Sequence, residues 1–233
     1  MKIHLVSFPT LLLTGLAAVI TLTACGPAAA PDSGGFSFTG MVHPDLPEHR
    51  FVLRPAPAAD SGDSAAGDAE VSTPSGPITS IAIYDGDRLL QTLADFSAEP
   101  IIDGPNLDGF EIEDLNFDGY ADLRLIEFLP AGPNIPYLVW LYQPPTDPKS
   151  GPGQFQKSDI FASISSPEID REKQQIVSYW RANAAENGTS YYEFNDAGDQ
   201  LILVREERRV YESEEQFTET VRELRDGQMV DVP

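Results

Sequence analysis

The chain reads as all-β: antiparallel hairpins that suit a small β-propeller-like domain or, as the alternative, a β-sandwich, preceded by a disordered tether. Three observations predict this. Between residues 76 and 212 the apolar residues come in short runs of strand length, and no stretch sustains a 3.6-residue period long enough for an ordinary helix. The runs are separated by Asp-Gly, Asn-Gly and Asp/Asn clusters, which supply the backbone angles that tight turns need. These hairpins recur regularly although no exact sequence repeat is visible.

The N-terminal part comes first. Residues 1–24 carry Lys2, then an apolar run centred on LLLTGLAAVI, then the small residues leading to Cys25, the layout of a secretory signal. The run is short for a spanning helix. LTAC ending at Cys25 resembles the bacterial lipobox, so Cys25, the chain's one cysteine, is the expected lipidation site and first mature residue. Gly26 follows it, where an Asp would signal retention at the inner membrane, so the outer membrane is the expected address. Residues 25–75 read as a lipidated Cys plus a flexible acidic tether. Within it, FSFTGMVHPDLPEHRFVLRP holds two apolar runs around a Pro-rich turn, a possible hairpin at 36–54 that either docks on the following domain or belongs to a stalk. The stretch after it has four acids, no base and almost nothing to bury, and is expected to be disordered.

The β-rich domain is expected over 76–233. TSIAIYDGDRLLQTL is two apolar runs around Asp85-Gly86, a hairpin signal. FEIED and DLRLIEF flank an acidic loop, and YLVWLYQ is a buried-looking strand in which Trp140 and Tyr142 share a face that Tyr137 does not. QQIVSYWR and TSYYEF pair across ANAAENG, and a further turn falls at Asp196 to Asp199. SEEQFTETVREL has the capping pattern of a helix, but its alternating Thr and Val and the Asp226-Gly227 turn that follows favour a hairpin ending in QMVDV.

The acidic loop carries the chemistry. In EDLNFDGYADL, Asp114, Asn116 and Asp118 stand at positions one, three and five of a tight loop with Gly119 at six. That spacing turns oxygen ligands toward one point, as a hard cation such as calcium requires. Tyr120 would contribute its backbone carbonyl and Asp122 a ninth-position ligand. An EF-hand would need Glu at position twelve, where this chain has Leu125, and helices where it has strands. The arrangement resembles the calcium loops found between strands of propeller repeats. Nearby Asp103, Asn106 and Asp108 in DGPNLDG read better as an ordinary turn.

Other function classes find little support. Past the signal the histidines are His43 and His49, both in the N-terminal segment. No nucleophile elbow, zincin, P-loop or dinucleotide motif occurs, so the chain is not read as an enzyme. The formal charge is −22, and removal of residues 1–24 leaves 14 basic against 37 acidic side chains. Such a field repels nucleic acid and anionic headgroups, and steers a cationic partner inward at low salt.

Taken together, DLNFDGYADL, GPNIPYLVWLY, FQKSDIFASISSPEIDREKQQIVSYWR and SYYEFNDAGDQLILVREE resemble the bacterial lipoprotein family that includes immunity proteins of bacteria-killing type IV secretion systems. The resemblance runs from about Pro77 to the C-terminus. It implies a propeller-like domain with bound calcium on Asp114, Asn116, Asp118, Tyr120 and Asp122, anchored by lipid in the periplasm. It also implies inhibition of a cationic, lysozyme-like peptidoglycan hydrolase, without carrying any inhibitory residue onto this chain. The alternative from the same resemblance is a cell-envelope adaptor or structural lipoprotein with no inhibitory activity.

Overall fold

Alternating apolar residues need a second layer to bury them, and here three antiparallel sheets supply it to one another. The computed structural model describes residues 34–57, 76–147, 151–213 and 216–233; the expected signal segment, Cys25 and the acidic stretch of tether at 58–75 lie outside the described residues. The first sheet is a meander of β1 (Phe36–Gly40), β2 (His49–Pro55), β3 (Ile78–Asp85) and β4 (Arg88–Leu93). A small ribbon follows, β5 (Ile101–Asp103) with β6 (Asn106–Asp108). The second sheet runs in the order β10-β9-β8-β7, from β7 (Phe110–Glu113), β8 (Asp122–Ile126), β9 (Tyr137–Gln143) and β10 (Gln154–Ser158). The third is a six-stranded meander: β11 (Pro167–Asp170), β12 (Gln175–Asn183), β13 (Glu186–Phe194), β14 (Leu201–Tyr211), β15 (Phe217–Arg225) and β16 (Gln228–Val232).

The all-β expectation is met, and the described residues contain no helix. The second sheet is the middle layer. Leu123, Leu125, Trp140 and Tyr142 on one of its faces join Phe51, Leu53, Ile81 and Ile83 of the first sheet in a single core. Val139 on its other face joins Leu115, Phe161, Ile164 and Ile176 toward the third sheet. The sheets are thus stacked in a row, with no closed barrel or propeller ring among the described residues. Gln91 ties the edges of the first two sheets: its amide donates to the Phe155 carbonyl and accepts from the Phe155 N–H, both at 2.8 Å, in the place of a strand pairing.

Of the two alternatives for the 36–54 hairpin, the docked one holds. β2 pairs with β3 along its length, and Phe36, Phe51 and Leu53 lie in the shared core. The domain boundary drawn at residue 76 therefore cuts through a sheet, because a low-complexity insertion separates two strands that are neighbours in space. The first hairpin turn also shifts by one residue. Asp85 pairs with Arg88, which leaves Gly86-Asp87 as the turn, and Gly86, at φ 56°, takes the left-handed position. At the C-terminus the hairpin reading is borne out, with β15 and β16 joined through Asp226-Gly227.

In the third sheet Trp180 lies across Gly188 and donates its indole N–H to Ser190 Oγ at 2.9 Å. A Cβ on Gly188 would fall 2.4 Å from Trp180 Cζ2 and 2.4 Å from the Glu207 carbonyl oxygen. Gly188→Ala is therefore expected to lower stability by about 1–3 kcal/mol, read as a drop in the urea midpoint at unchanged slope.

Candidate cation-binding loop

The loop that joins β7 to β8 is wound by its own side chains. Asp114 accepts from the N–H groups of Asp118 (3.2 Å) and Gly119 (3.0 Å). Asn116 Oδ1 accepts from the same Asp118 N–H at 3.2 Å, so an aspartate oxygen and an amide oxygen converge on one amide. Asp118 accepts from the Tyr120 N–H at 2.8 Å and from the Asn116 side chain at 3.0 Å. Phe117 at φ 62° and Gly119 at φ 90° make the bends that keep residues 114, 116 and 118 on one side. The left-handed backbone is natural for Gly119 and uncommon for a bulky residue. Phe117 is held there by packing against the core between the second and third sheets, with its ring 6.2 Å from that of Phe194.

Two inward residues moor the loop. Leu115 is buried, and beneath it lies Asp122, with no exposed surface. Its two carboxylate oxygens are taken by backbone donors, Leu115 N–H at 2.9 Å and Tyr142 N–H at 2.8 Å. Burial pushes its pKa up to about 7, against the pull of those two N–H groups and with a further push from the charges of Asp118 and Asp114. Tyr120 sets its ring between His43 (centroids 4.6 Å) and Tyr142 (5.3 Å), and the Ala121 N–H donates to the Val42 carbonyl at 2.7 Å. His43, which stands far away in sequence, thus becomes part of the loop's wall. Its only sequence signal is a histidine between apolar runs, and nothing local ties that to residue 120.

Of the five expected ligands the structure brings Asp114, Asn116 and Asp118 together around the Asp118 amide and places Asp122 below them, occupied by backbone donors. Tyr120 lies beside them with its ring in the stack. Among the described residues no three His, Cys, Asp or Glu side chains gather as a ready-made metal centre. The donors present are nonetheless all oxygen, as a hard cation demands, and the half-exposed rim leaves room for water ligands. The buried acid under two more acids is the feature a divalent charge would relieve. Asp103, Asn106 and Asp108 sit on the separate β5–β6 ribbon with exposed side chains, an ordinary hairpin.

No family model matches the chain, and no curated protein matches it in sequence. Among solved structures it is similar to a Xanthomonas type IV secretion system related protein, with a TM-score of 0.50 and 12% identity, over 85% of this chain and 99% of that one. At that identity the likeness is one of fold, and it spans nearly the whole of the other protein.

Proposed function

We propose that this chain is a lipid-anchored periplasmic lipoprotein, stabilised by calcium, that binds a cationic lysozyme-like peptidoglycan hydrolase and blocks it. The observation that carries this reading is the fold shared with a type IV secretion system related protein over 99% of that protein's length. The charge supports it: a surface of formal charge −22 is complementary to the basic surface of lysozyme-type enzymes, and complementary fields speed encounter and fix register. In this reading Asp114, Asn116 and Asp118, with Tyr120 and Asp122, hold the ion, which supplies positive charge where the charges of Asp118 and Asp114 act on the buried Asp122. A loop made rigid in this way loses less entropy when a partner docks.

The inhibitory role is tested with the chain from residue 26 onward. It is expected to slow wall lysis by a cationic muramidase in a turbidity assay at low salt, and absence of any slowing would remove that role. The calcium is tested separately, by melting. At about 100-fold excess over its dissociation constant calcium is expected to add about 2.7 kcal/mol of stability. EDTA should remove this increment, and so should Asp118→Ala. An unfolding midpoint indifferent to both calcium and EDTA would remove the ion. The alternative, a non-inhibitory envelope adaptor on the same fold, predicts a calcium-dependent melt with no effect on lysis.

A further inference from the structure

We propose that the loop joining β8 to β9, residues 127–136, is the part of this chain that enters the cleft of its cationic hydrolase, with Phe128 and Leu129 as the anchors. This rests on the reading of function above and names the residues that carry it out. Neighbours in an extended chain point to opposite sides, so one of the two can be buried. Phe128 and Leu129 instead both face out, each 47% exposed, and neither joins either core. Single apolar residues on a surface are ordinary, whereas an adjacent Phe-Leu pair on a loop is a compact apolar knob. The loop under it is held from several sides. The Glu127 carbonyl accepts from the Glu99 N–H at 2.7 Å, and the Glu127 N–H donates to the Pro136 carbonyl at 3.0 Å. The Ser166 N–H donates to the Ile135 carbonyl at 2.8 Å, and Ser166 Oγ accepts from the Ile135 N–H at 3.1 Å. The Asn134 side chain exchanges two bonds of 2.8 Å with the backbone of Arg181 on β12. Pro130, Pro133 and Pro136 fix φ at three positions. A knob so held loses less freedom when it docks than one on a loose loop does.

Charge selects the occupant. From residue 89 to residue 148 Arg124 is the single base, and it is buried against Glu111, Glu113 and Pro167. Glu99 and Glu127 stand at the base of the loop, joined by their backbones. The β5–β6 ribbon adjoins them, since Gly109, which follows it, accepts from the Ile126 N–H at 2.8 Å; it brings Asp103, Asp108 and the exposed Ile101. Lys157 and Asp159 share a cleft with Glu127. Arg181 turns its guanidinium to the carbonyls of Asn183 and Ala184, and Arg54, at the neighbouring end of β2, reaches back along the sheet to the Tyr84 hydroxyl at 3.0 Å. Around the knob there are thus five acids, Glu99, Asp103, Asp108, Glu127 and Asp159, to the two bases Lys157 and Arg181, and among the described residues no ion pair takes up any of the five. A second copy would set like charges against like, and anionic headgroups would be repelled as well. A cationic protein with an apolar slot meets burial at the centre and opposite charge at the rim.

The test titrates the chain from residue 26 onward into egg-white lysozyme, a cationic muramidase, and follows wall turbidity at about 20 and about 200 mM NaCl. The unmodified chain is expected to slow lysis, and more so at the lower salt. Phe128→Ser combined with Leu129→Ser should raise the half-inhibitory concentration about tenfold or more at an unchanged melting midpoint. If the pair lowers the midpoint, Leu129→Ser alone decides. Glu99→Gln combined with Glu127→Gln should slow association and flatten its salt dependence. Phe217→Ser, at an equally exposed aromatic on the third sheet, should leave inhibition unchanged. Without inhibition by the unmodified chain, the functional reading and this site fall together. Inhibition that survives the loss of Phe128 and Leu129, or that Phe217→Ser weakens as much, overturns the site alone. A dimer of the unmodified chain that the paired serine variant disperses would give the knob to a second copy, and flotation with phosphatidylcholine vesicles that the same variant abolishes would give it to lipid. Either result overturns the proposal.

Discussion

In the presence of chelator, Asp122→Asn lowers stability at pH 5 by about 1–3 kcal/mol, and the gap to the unmodified protein narrows as the pH is raised to 8. The first effect is geometric. Both carboxylate oxygens of Asp122 accept backbone N–H groups, one from the loop and one from β9. An asparagine offers one oxygen and turns its own N–H toward the other donor, which is left buried and unpaired. The second effect is linkage. The folded-state pKa is raised from 3.8 to about 7, so the folded protein keeps a proton that the unfolded chain has already released. The stability this contributes is fully present below about pH 4, and is lost as pH rises through 7. Its upper bound is about 4 kcal/mol, since each unit of pKa difference corresponds to about 1.4 kcal/mol. Asparagine does not titrate and has no such loss. Urea denaturation of both proteins at pH 5 and pH 8 measures the two gaps, and a gap that is the same at both would show that Asp122 is not a buried titrating acid.

The double duty of Asp122 also marks where sequence reading stops. Its spacing from Asp114, Asn116 and Asp118 is legible as an oxygen-rich loop, and the winding of that loop around the Asp118 amide agrees with the spacing. The engagement of Asp122 with Tyr142 is not legible, because it depends on β9 lying beside β8. The same cause recurs elsewhere. Strand runs and turn residues are local properties, so β7 to β9, the hairpin of β12 and β13 and the C-terminal pair could be placed from residue type. Docking of the 36–54 hairpin is a pairing across a long insertion, and no local pattern reports it. Nor does any local pattern report that no described residue of the last three strands is fully buried, since Val221, Val230 and Val232 alternate with polar residues as they would in a half-buried sheet. His43 lies in the connection between β1 and β2, and only the docking of that hairpin brings its ring onto Tyr120.

Arg124 is the clearest case of a tertiary demand hidden in an ordinary strand, and its removal is expected to cost the most. DLRLI alternates like a strand with one wet face, yet all five residues are buried because sheets pack on both sides of β8. The guanidinium, 9% exposed, donates to the Pro167 carbonyl on β11 at 2.6 Å and to Glu111 at 2.5 Å, lies 3.4 Å from Glu113, and sits over the Tyr137 ring. It therefore ties the middle sheet to the third one and neutralises two acids on β7. Arg124→Ala takes away the shared cation from both, leaves the Pro167 carbonyl without its donor, and opens a cavity. A loss of about 3–5 kcal/mol is expected, the range found when one member of a buried ion pair is removed. Glu111 is partly solvated, which pulls the value toward the lower end. Arg124→Lys should recover only part, since a single ammonium cannot span Pro167 on one side and the two glutamates on the other as the planar fork does. The discriminating measurement is a double-mutant cycle with Glu113→Gln. If the cation matters mainly as a counter-charge, the second change restores about 1 kcal/mol or more to Arg124→Ala, whereas strict additivity would assign the loss to packing and to the Pro167 bond.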